Sequence, residues 1–171
     1  MSVYTTSEFT AEVGSHAMIV DTNVLVAAFL TNDENHNDAY TFLFELADQV
    51  IIPSAVLVET WGMLVGSKRR PDLGLALLEW IDNPGNGVVL VPSHGDSFSD
   101  VRELADTYRI DCVDAILVGL ALEISTKCRQ GRPVKIATFD TRDFLRVARS
   151  KSTIFNVFDL KTFDDLTFRD I

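Results

Sequence analysis

Four acidic residues stand at positions in the sequence that suit the binding of a hard cation. Asp21 directly follows a short apolar run with the character of a buried strand, and Asp140 closely follows another. Glu59 and Asp114 stand among apolar neighbours in segments with helical periodicity. A carboxylate buried in such surroundings needs a partner of opposite charge. The alternative interpretations are a helix cap for Asp21 and a surface acid for Glu59.

The counter-charge for Asp21 and Glu59 cannot come from nearby basic residues, because residues 1–67 contain nine acids and no Lys or Arg. A divalent cation is the simplest alternative. Mg²⁺ is typically held by a few carboxylates together with waters and substrate phosphate oxygens. Zinc is disfavoured, because His16, His36 and His94 are scattered without the spacing of metal ligands.

Several polar residues beside these acids have roles that the sequence leaves open. Asn23 and Thr138 could orient a carboxylate or a water at the two strand ends, although loop polarity explains them almost as well. Asp111 precedes Asp114 by three residues, and we interpret Asp111 as a helix cap and Asp114 as the metal ligand. Asp143 could support the site or stabilise the start of a helix.

The apolar pattern predicts strands that alternate with helices. Strands are expected at residues 17–20, 50–52, 88–91, 134–138 and 154–158, and helices at 24–30, 38–46, 54–66, 73–81, 100–108, 112–124 and 141–149. Because parallel neighbours need crossover connections, this order predicts an α/β fold with a central, mostly parallel, five-stranded sheet flanked by helices. Ligands of such sheets bind outside the carboxyl ends of the strands, where Asp21 and Asp140 would share one edge.

Length and composition limit the class of protein. A chain of 171 residues with 47% hydrophobic and 23% charged residues matches one folded domain. It shows neither a secretory signal nor a membrane-spanning run, so we expect a cytoplasmic protein. Residues 1–17 lack periodicity and are interpreted as an N-terminal extension of a domain at 18–171. Cys112 and Cys128 are too few for a disulfide framework, and we expect both to be reduced core residues.

The charge is distributed unevenly. A net charge of −10 argues against a nucleic-acid partner unless basic residues are locally concentrated. All 15 basic residues lie after position 67, and residues 127–151 hold eight of them with only two acids. Arg142, Arg146 and Arg149 follow Asp140 and are the best candidates for contacts with RNA phosphates. The alternative is a basic helix face that is simply solvated.

The four acids lie in motifs that resemble those of the PIN-domain nucleases. The motifs, in chain order, are VDTNVL at residues 20–25, VE at 58–59, DAIL at 114–117, and ATFD at 137–140 with DF at 143–144. The resemblance covers residues 18–158 and implies a three-layer PIN-like fold. It also implies a Mg²⁺- or Mn²⁺-dependent ribonuclease, most often a VapC-type toxin that pairs with an antitoxin and commonly dimerises. In that case Asp21, Glu59, Asp114 and Asp140 are the catalytic, metal-binding cluster.

Other functions stay open at this point. A PIN-domain nuclease could process RNA without any antitoxin, and the 17-residue extension departs from the compact toxin pattern. A haloacid-dehalogenase-like phosphatase would use Asp21 as nucleophile and a second acid two residues later, but position 23 is Asn. A non-catalytic binding module would keep the fold without the chemistry.

Overall fold

A six-stranded sheet organises the protein in this computed structural model, which describes residues 17–92, 98–127, 134–150 and 155–166. The strands are β1 (Met18–Val20), β2 (Val50–Pro53), β3 (Val88–Val91), β4 (Val134–Thr138), β5 (Phe155–Asp159) and β6 (Asp164–Leu166). Their order across the sheet is β3-β2-β1-β4-β5-β6. Neighbouring strands are parallel except that β6 is antiparallel to β5. The predicted mostly parallel five-stranded sheet is confirmed, and the short β6 adds an edge strand that the sequence pattern did not indicate.

Seven α-helices connect the strands within the described ranges. They are α1 (Thr22–Phe29), α2 (His36–Thr41), α3 (Ser54–Trp61), α4 (Pro71–Asp82), α5 (Phe98–Tyr108), α6 (Cys112–Lys127) and α7 (Thr141–Ser150). Wider π-helical turns, Phe42–Leu46 and Gly62–Ser67, extend α2 and α3, and a 3₁₀ turn at Pro84–Asn86 precedes β3. Each helix lies where the periodicity predicts one, within a few residues at either end.

The chain winds in two directions from β1. The connections β1 to β2 to β3 run to one edge of the sheet, and those from β3 to β4 to β5 run the other way. Because parallel crossovers are right-handed, helices α1 to α4 cover one face and α5 to α7 the other, which gives three layers. Consistently, α1 contacts α2, α3 and α4, and α6 contacts α5 and α7, while a smaller contact between α3 and α6 joins the two sets.

The centre of the sheet is fully buried. Ile19 on β1, Ile51 on β2 and Ile136 on β4 have no solvent exposure, as expected for parallel strands that are covered on both faces. Val20 pairs with Ala137, so β1 and β4 end side by side. Strand order reverses between these two strands, and this reversal point is where doubly wound sheets bind ligands.

One of the two cysteines, Cys112, lies within the described residues. Cys112 is the first residue of α6 and is exposed, so the prediction of a core position is wrong. The reason is that α6 becomes buried only from its second turn, where Ala115 and its neighbours contact the core. Cys128 and residues 1–16 lie outside the described residues, and the division into an extension and a domain stays a prediction. Within the described part, no helix is long and apolar enough to cross a membrane.

Candidate active site

An open pocket of about 210 Å³ lies where β1 and β4 end. Its lining residues are Asp21, Thr22, Asn23, Glu59, Met63, Asp111, Val113, Asp114, Asp140 and Phe144. The fold therefore brings the four predicted acids to one pocket although they are separated by up to 119 positions, and it adds Asp111. No Lys or Arg among the described residues lines this pocket.

Asp21 is held rigidly at the base of the pocket. It follows β1 directly and is only 7% exposed. Its Oδ1 accepts a hydrogen bond from the backbone N–H of Thr22 at 2.6 Å, so it does cap α1. Its Oδ2 accepts from Asn23 Nδ2 at 2.7 Å and from Thr138 Oγ1 at 2.7 Å. A carboxylate offers about four acceptor positions, so these contacts leave one on Oδ1 for a further ligand.

The carboxyl group of Asp21 titrates far from its ordinary range. Burial raises its pKa from 3.8 to about 6, because desolvation outweighs the hydrogen bonds from Thr138 and Thr22 that favour the charged form. The negative charges of Glu59 and Asp111 raise it further. A cation bound beside this buried carboxyl group would stabilise its charged form.

Thr138 and Asn23 connect the ends of the two central strands. Thr138 is fully buried, and its Oγ1 accepts hydrogen bonds from Asn23 Nδ2 at 3.0 Å and from the Asp140 backbone N–H at 3.0 Å. Asn23 Oδ1 accepts from the backbone N–H of Phe139 at 3.2 Å. These contacts go beyond general loop polarity, because together they fix the position of Asp21 relative to the chain that carries Asp140.

Glu59 reaches the pocket from α3. Its side chain is exposed, as the surface-acid interpretation expected, but Oε2 also accepts a hydrogen bond from Thr22 Oγ1 at 2.6 Å. Sequence reasoning did not assign a role to Thr22, whose partner is 37 positions away. The only signal in the sequence was its position between Asp21 and Asn23 at the end of a strand.

Asp111, which directly precedes α6, and Asp114, in its first turn, both line the pocket. Asp111 Oδ1 accepts a hydrogen bond from the Asp114 backbone N–H at 2.9 Å, which is the contact of a helix cap. Asp114 is partly buried, and its pKa is raised from 3.8 to about 7. Desolvation is the largest cause, followed by the negative charges of Asp111, Asp21, Asp143 and Asp140. Asp111 thus caps the helix as predicted and also lines the pocket, which sequence reasoning missed.

Asp140 and Asp143 differ in their surroundings. Asp140 is exposed at the start of α7, where its Oδ1 accepts from the Arg142 backbone N–H at 3.3 Å. Asp143 is 22% exposed and lies outside the pocket lining. Its Oδ1 is 2.8 Å from an Arg146 guanidinium nitrogen and 3.4 Å from Arg142 Nε. Asp143 therefore acts on the pocket through its negative charge, which is one of the causes that raise the pKa of Asp114.

The three arginines of α7 are not equivalent. The Arg142 side chain is 77% exposed, and Arg149 is also exposed. Arg146 is 44% exposed, and one of its guanidinium nitrogens donates a hydrogen bond to the Tyr108 carbonyl at 2.9 Å. Three other basic residues of the segment 127–151, Arg129, Arg132 and Lys151, lie outside the described residues.

The pocket has the donor chemistry of a hard divalent cation. Its five carboxylates supply oxygen ligands, and no described Lys or Arg lines it. Burial, followed by the negative charges of neighbouring carboxylates, raises the pKa values of Asp21 and Asp114. Across the described ranges, no three His, Cys, Asp or Glu side chains are gathered closely enough to hold an ion as they are placed. The exposed carboxylates of Glu59 and Asp140 would have to turn inward to complete such a site.

Comparison with known proteins places this arrangement in a family. The family model of the PIN domain matches residues 18–150. The VapC20 toxin of Mycobacterium tuberculosis, which cleaves the sarcin–ricin loop, superposes with a TM-score of 0.55 and 19% identity over 74% of this chain and 92% of that one. A toxin–antitoxin complex from Klebsiella pneumoniae gives a TM-score of 0.50 and 18% identity over 74% of this chain and 89% of that one.

These comparisons support the fold more directly than the activity. No curated protein sequence matches the chain. The two solved structures are too distant in sequence to show more than a shared architecture. The family model, however, spans well over half of the chain and includes all four predicted acids. The resemblance seen in the motifs is confirmed, and the chain belongs to the PIN-domain family.

Proposed function

We propose that this protein is a Mg²⁺- or Mn²⁺-dependent endoribonuclease that acts as the toxin of a type II toxin–antitoxin pair. The observation that carries the proposal is the pocket itself. Five carboxylates from four separate segments line it, and burial together with neighbouring negative charges raises the pKa values of Asp21 and Asp114. Membership of the PIN-domain family and the likeness to two toxin structures support the same function.

The proposed roles follow from the contacts of each side chain. Asp21, Glu59, Asp114 and Asp140 would hold the cation. When bound, the cation supplies the Lewis acidity that activates a water and stabilises charge on the phosphate oxygens. Thr138 and Asn23 keep the Asp21 carboxylate oriented, and Thr22 does the same for Glu59. Fixed orientation matters because small displacements of catalytic groups reduce rates strongly.

A nucleic-acid chain is the substrate class that the shape and charge of this region favour, and the likeness to a toxin that cleaves the sarcin–ricin loop favours RNA. The pocket is open and smaller than the ~300–1,000 Å³ that commonly encloses small molecules, so it suits one phosphodiester of an extended chain. The exposed guanidinium groups of Arg142 and Arg149 lie on the helix that begins beside Asp140. Such groups grip phosphates without reading sequence. We therefore assign the RNA backbone contacts first to these two arginines.

An exposed aromatic surface supports the antitoxin part of the proposal. Tyr40 and Phe44 stack with ring centroids 4.6 Å apart, and Phe44 also contacts Trp80 at 5.6 Å. Tyr40, Phe44 and Leu46 are 45%, 39% and 59% exposed. Acidic residues are the only charged residues in this part of the sequence. A partner segment with apolar and basic side chains would complement this surface, and the Klebsiella structure is a complex of a toxin with its antitoxin.

Three further exposed apolar side chains support the proposed homodimer. Val58 on α3 is 71% exposed, and Leu75 and Leu78 on α4 are 56% and 39% exposed. Burying such side chains against a second copy would remove apolar area from water. Sedimentation of the purified protein would test this, because a monomer at all concentrations would contradict it. The cytoplasmic location stays a prediction.

The experiment that tests the proposed activity is RNA cleavage by the purified protein in Mg²⁺, in Mn²⁺ and in EDTA. Asp114→Asn should lose at least about 100-fold of the activity, because it removes one charge from the ligand set without changing side-chain size. Asp106→Asn is the matched control, since Asp106 is 80% exposed and lies outside the pocket lining. It should cleave like the wild type.

Three outcomes would contradict parts of the proposal. Equal cleavage by wild type and Asp114→Asn would indicate a contaminating nuclease or a different active site. Absence of cleavage in every metal would favour a non-catalytic binding module. Cleavage without any small antitoxin gene beside this one would favour a nuclease that processes RNA. A phosphatase of the haloacid dehalogenase type is already disfavoured, because the Asn23 amide donates to Asp21 and cannot serve as an acid.

A further inference from the structure

Arg146 joins α7 to the turn between α5 and α6. One of its guanidinium nitrogens donates to the Tyr108 carbonyl at 2.9 Å and approaches the Arg109 carbonyl at 3.5 Å. The other nitrogen donates to Asp143 Oδ1 at 2.8 Å. A second link between the same segments is the hydrogen bond between Tyr108 Oη and Ser150 Oγ at 3.0 Å. The guanidinium group is therefore shared between its own helix and a turn 38 positions away.

The turn that Arg146 contacts needs support from outside. Tyr108 is the last residue of α5, and the last carbonyl groups of a helix have no partner within the helix. Arg109 has a φ of 55°, in the left-handed region that non-glycine residues rarely adopt. A cation at a helix C-terminus also interacts favourably with the helix dipole. Arg146 provides both the missing donor and the charge.

The same turn carries two acids of the pocket. Asp111 comes two residues after Arg109, and it caps α6 by accepting a hydrogen bond from the Asp114 backbone N–H. On the other side of Arg146, α7 begins directly after Asp140. The guanidinium group thus connects the segment that places Asp111 and Asp114 with the segment that places Asp140.

We propose that Arg146 is a positioning residue that fixes these two segments relative to each other, and that it is not an RNA contact. The expected effect on the affinity for a divalent cation rests on the proposed function, whereas the structural role of Arg146 does not. It departs from the sequence-based expectation for Arg146, because the donors of this guanidinium are directed to a backbone carbonyl and to Asp143. Arg149, three residues further along α7, is the natural counterpart, since it is exposed and keeps the expected role.

The test compares Arg146→Ala with Arg149→Ala in two binding measurements. Mn²⁺ affinity is measured by calorimetry on the protein without RNA, and binding of single-stranded RNA is measured against salt concentration in Ca²⁺. Arg146→Ala should weaken Mn²⁺ binding by about tenfold, the lower end of what outer partners of metal ligands contribute, and leave the salt slope unchanged. Arg149→Ala should reduce the slope of RNA affinity against salt concentration, on a log–log plot, by about one, the amount expected for the loss of one phosphate contact. It should leave the Mn²⁺ affinity unchanged.

A third measurement does not depend on metal or RNA. Hydrogen exchange of the backbone amides at 109–115 should become faster in Arg146→Ala, whereas exchange in β1 should stay as in the wild type. Arg146→Lys keeps a charged donor but lacks the second arm that reaches both partners, so it should restore these properties only in part. It also provides a folded variant if the alanine substitution prevents folding.

The outcomes separate the two proposals. Wild-type Mn²⁺ affinity and wild-type exchange in Arg146→Ala, together with a flatter salt slope, would overturn the positioning role and make Arg146 an RNA contact. A wild-type protein that binds no Mn²⁺ would overturn the proposed function. In that case the exchange of residues 109–115 would still decide whether Arg146 holds the turn.

Discussion

Crowded carboxylates should make the protein less stable at neutral pH than at acidic pH when no divalent metal is present. The pKa of Asp114 is raised from 3.8 to about 7. The folded protein therefore binds this proton more tightly than the unfolded chain does. Stability from the protonated form is fully present below about pH 4 and is lost as the pH rises through about 7. Asp114→Asn removes the titrating group and should remove this loss.

The size of the effect follows from the change in pKa and from exposure. A carboxyl group whose pKa rises from 3.8 to about 7 would cost the folded state about 4 kcal/mol if it were fully buried. Asp114 is only partly buried, so solvent reduces both the desolvation penalty and the repulsion, and we expect about 1–2 kcal/mol. The Asp114 carboxylate accepts no hydrogen bond from any described residue that asparagine would lose. At pH 8 the variant should therefore be more stable than the wild type by that amount.

Urea unfolding in EDTA at pH 4, 6 and 8 measures this difference. The free energies of unfolding of wild type and Asp114→Asn should be similar at pH 4 and should separate at pH 8. Asp106→Asn controls for the general effect of removing one negative charge from a protein of net charge −10. Millimolar Mn²⁺ at pH 8 should stabilise the wild type and not Asp114→Asn. Equal unfolding midpoints of the two proteins at pH 8 would refute the inferred crowding of the pocket.

Four further variants test separate parts of the site. Asp21→Asn should reduce RNA cleavage at least about 100-fold with the fold intact by circular dichroism. Asp111→Asn should lower the free energy of unfolding by about 1 kcal/mol or less, and cleavage as poor as that of Asp21→Asn would show that Asp111 is the ligand instead of Asp114. Thr138→Val removes a buried donor to a charged group, so chemical unfolding should show a loss of about 2 kcal/mol. Replacing Arg142 and Arg149 together by Ala should weaken RNA binding equally for all sequences and reduce its salt dependence, with unchanged Mn²⁺ affinity.

The elements of this fold were predictable wherever a segment's own pattern determines its structure. β3 and β4 lie where the apolar runs predicted them, because short length, β-branched residues and flanking turn residues together favour a strand over a helix. β6 was missed, since Asp164–Leu166 has an acidic sequence and is a strand only through its antiparallel pairing with β5. Strand formation there is determined by the neighbouring strand and not by local preference.

The site was predictable at the strand ends and less so at the helix ends. Asp21 follows a buried strand at the reversal point of the sheet, and topology alone brings it to the edge that Asp140 shares. Periodicity does not determine which way a side chain in a first helical turn points. For that reason the exposure of Cys112 and the place of Asp111 in the pocket had to come from the structure. The same holds for Arg146, whose partner carbonyl has no side-chain signature in the sequence.

The carboxylates of the pocket differ in burial and in how many hydrogen bonds hold them, and this difference bears on how they could bind an ion. Asp21 is buried and held by three hydrogen bonds, so the orientation of its remaining acceptor position is fixed. Glu59 and Asp140 are exposed, and each accepts a hydrogen bond on one carboxylate oxygen, so they are held less tightly than Asp21. Because the protein supplies no basic residue to the described lining, repulsion favours exposed carboxylates that point into water. A divalent cation would reverse the sign of that interaction and draw the same groups inward. Asp21 would therefore determine where an ion binds, and the exposed carboxylates of Glu59 and Asp140 would determine how tightly it binds.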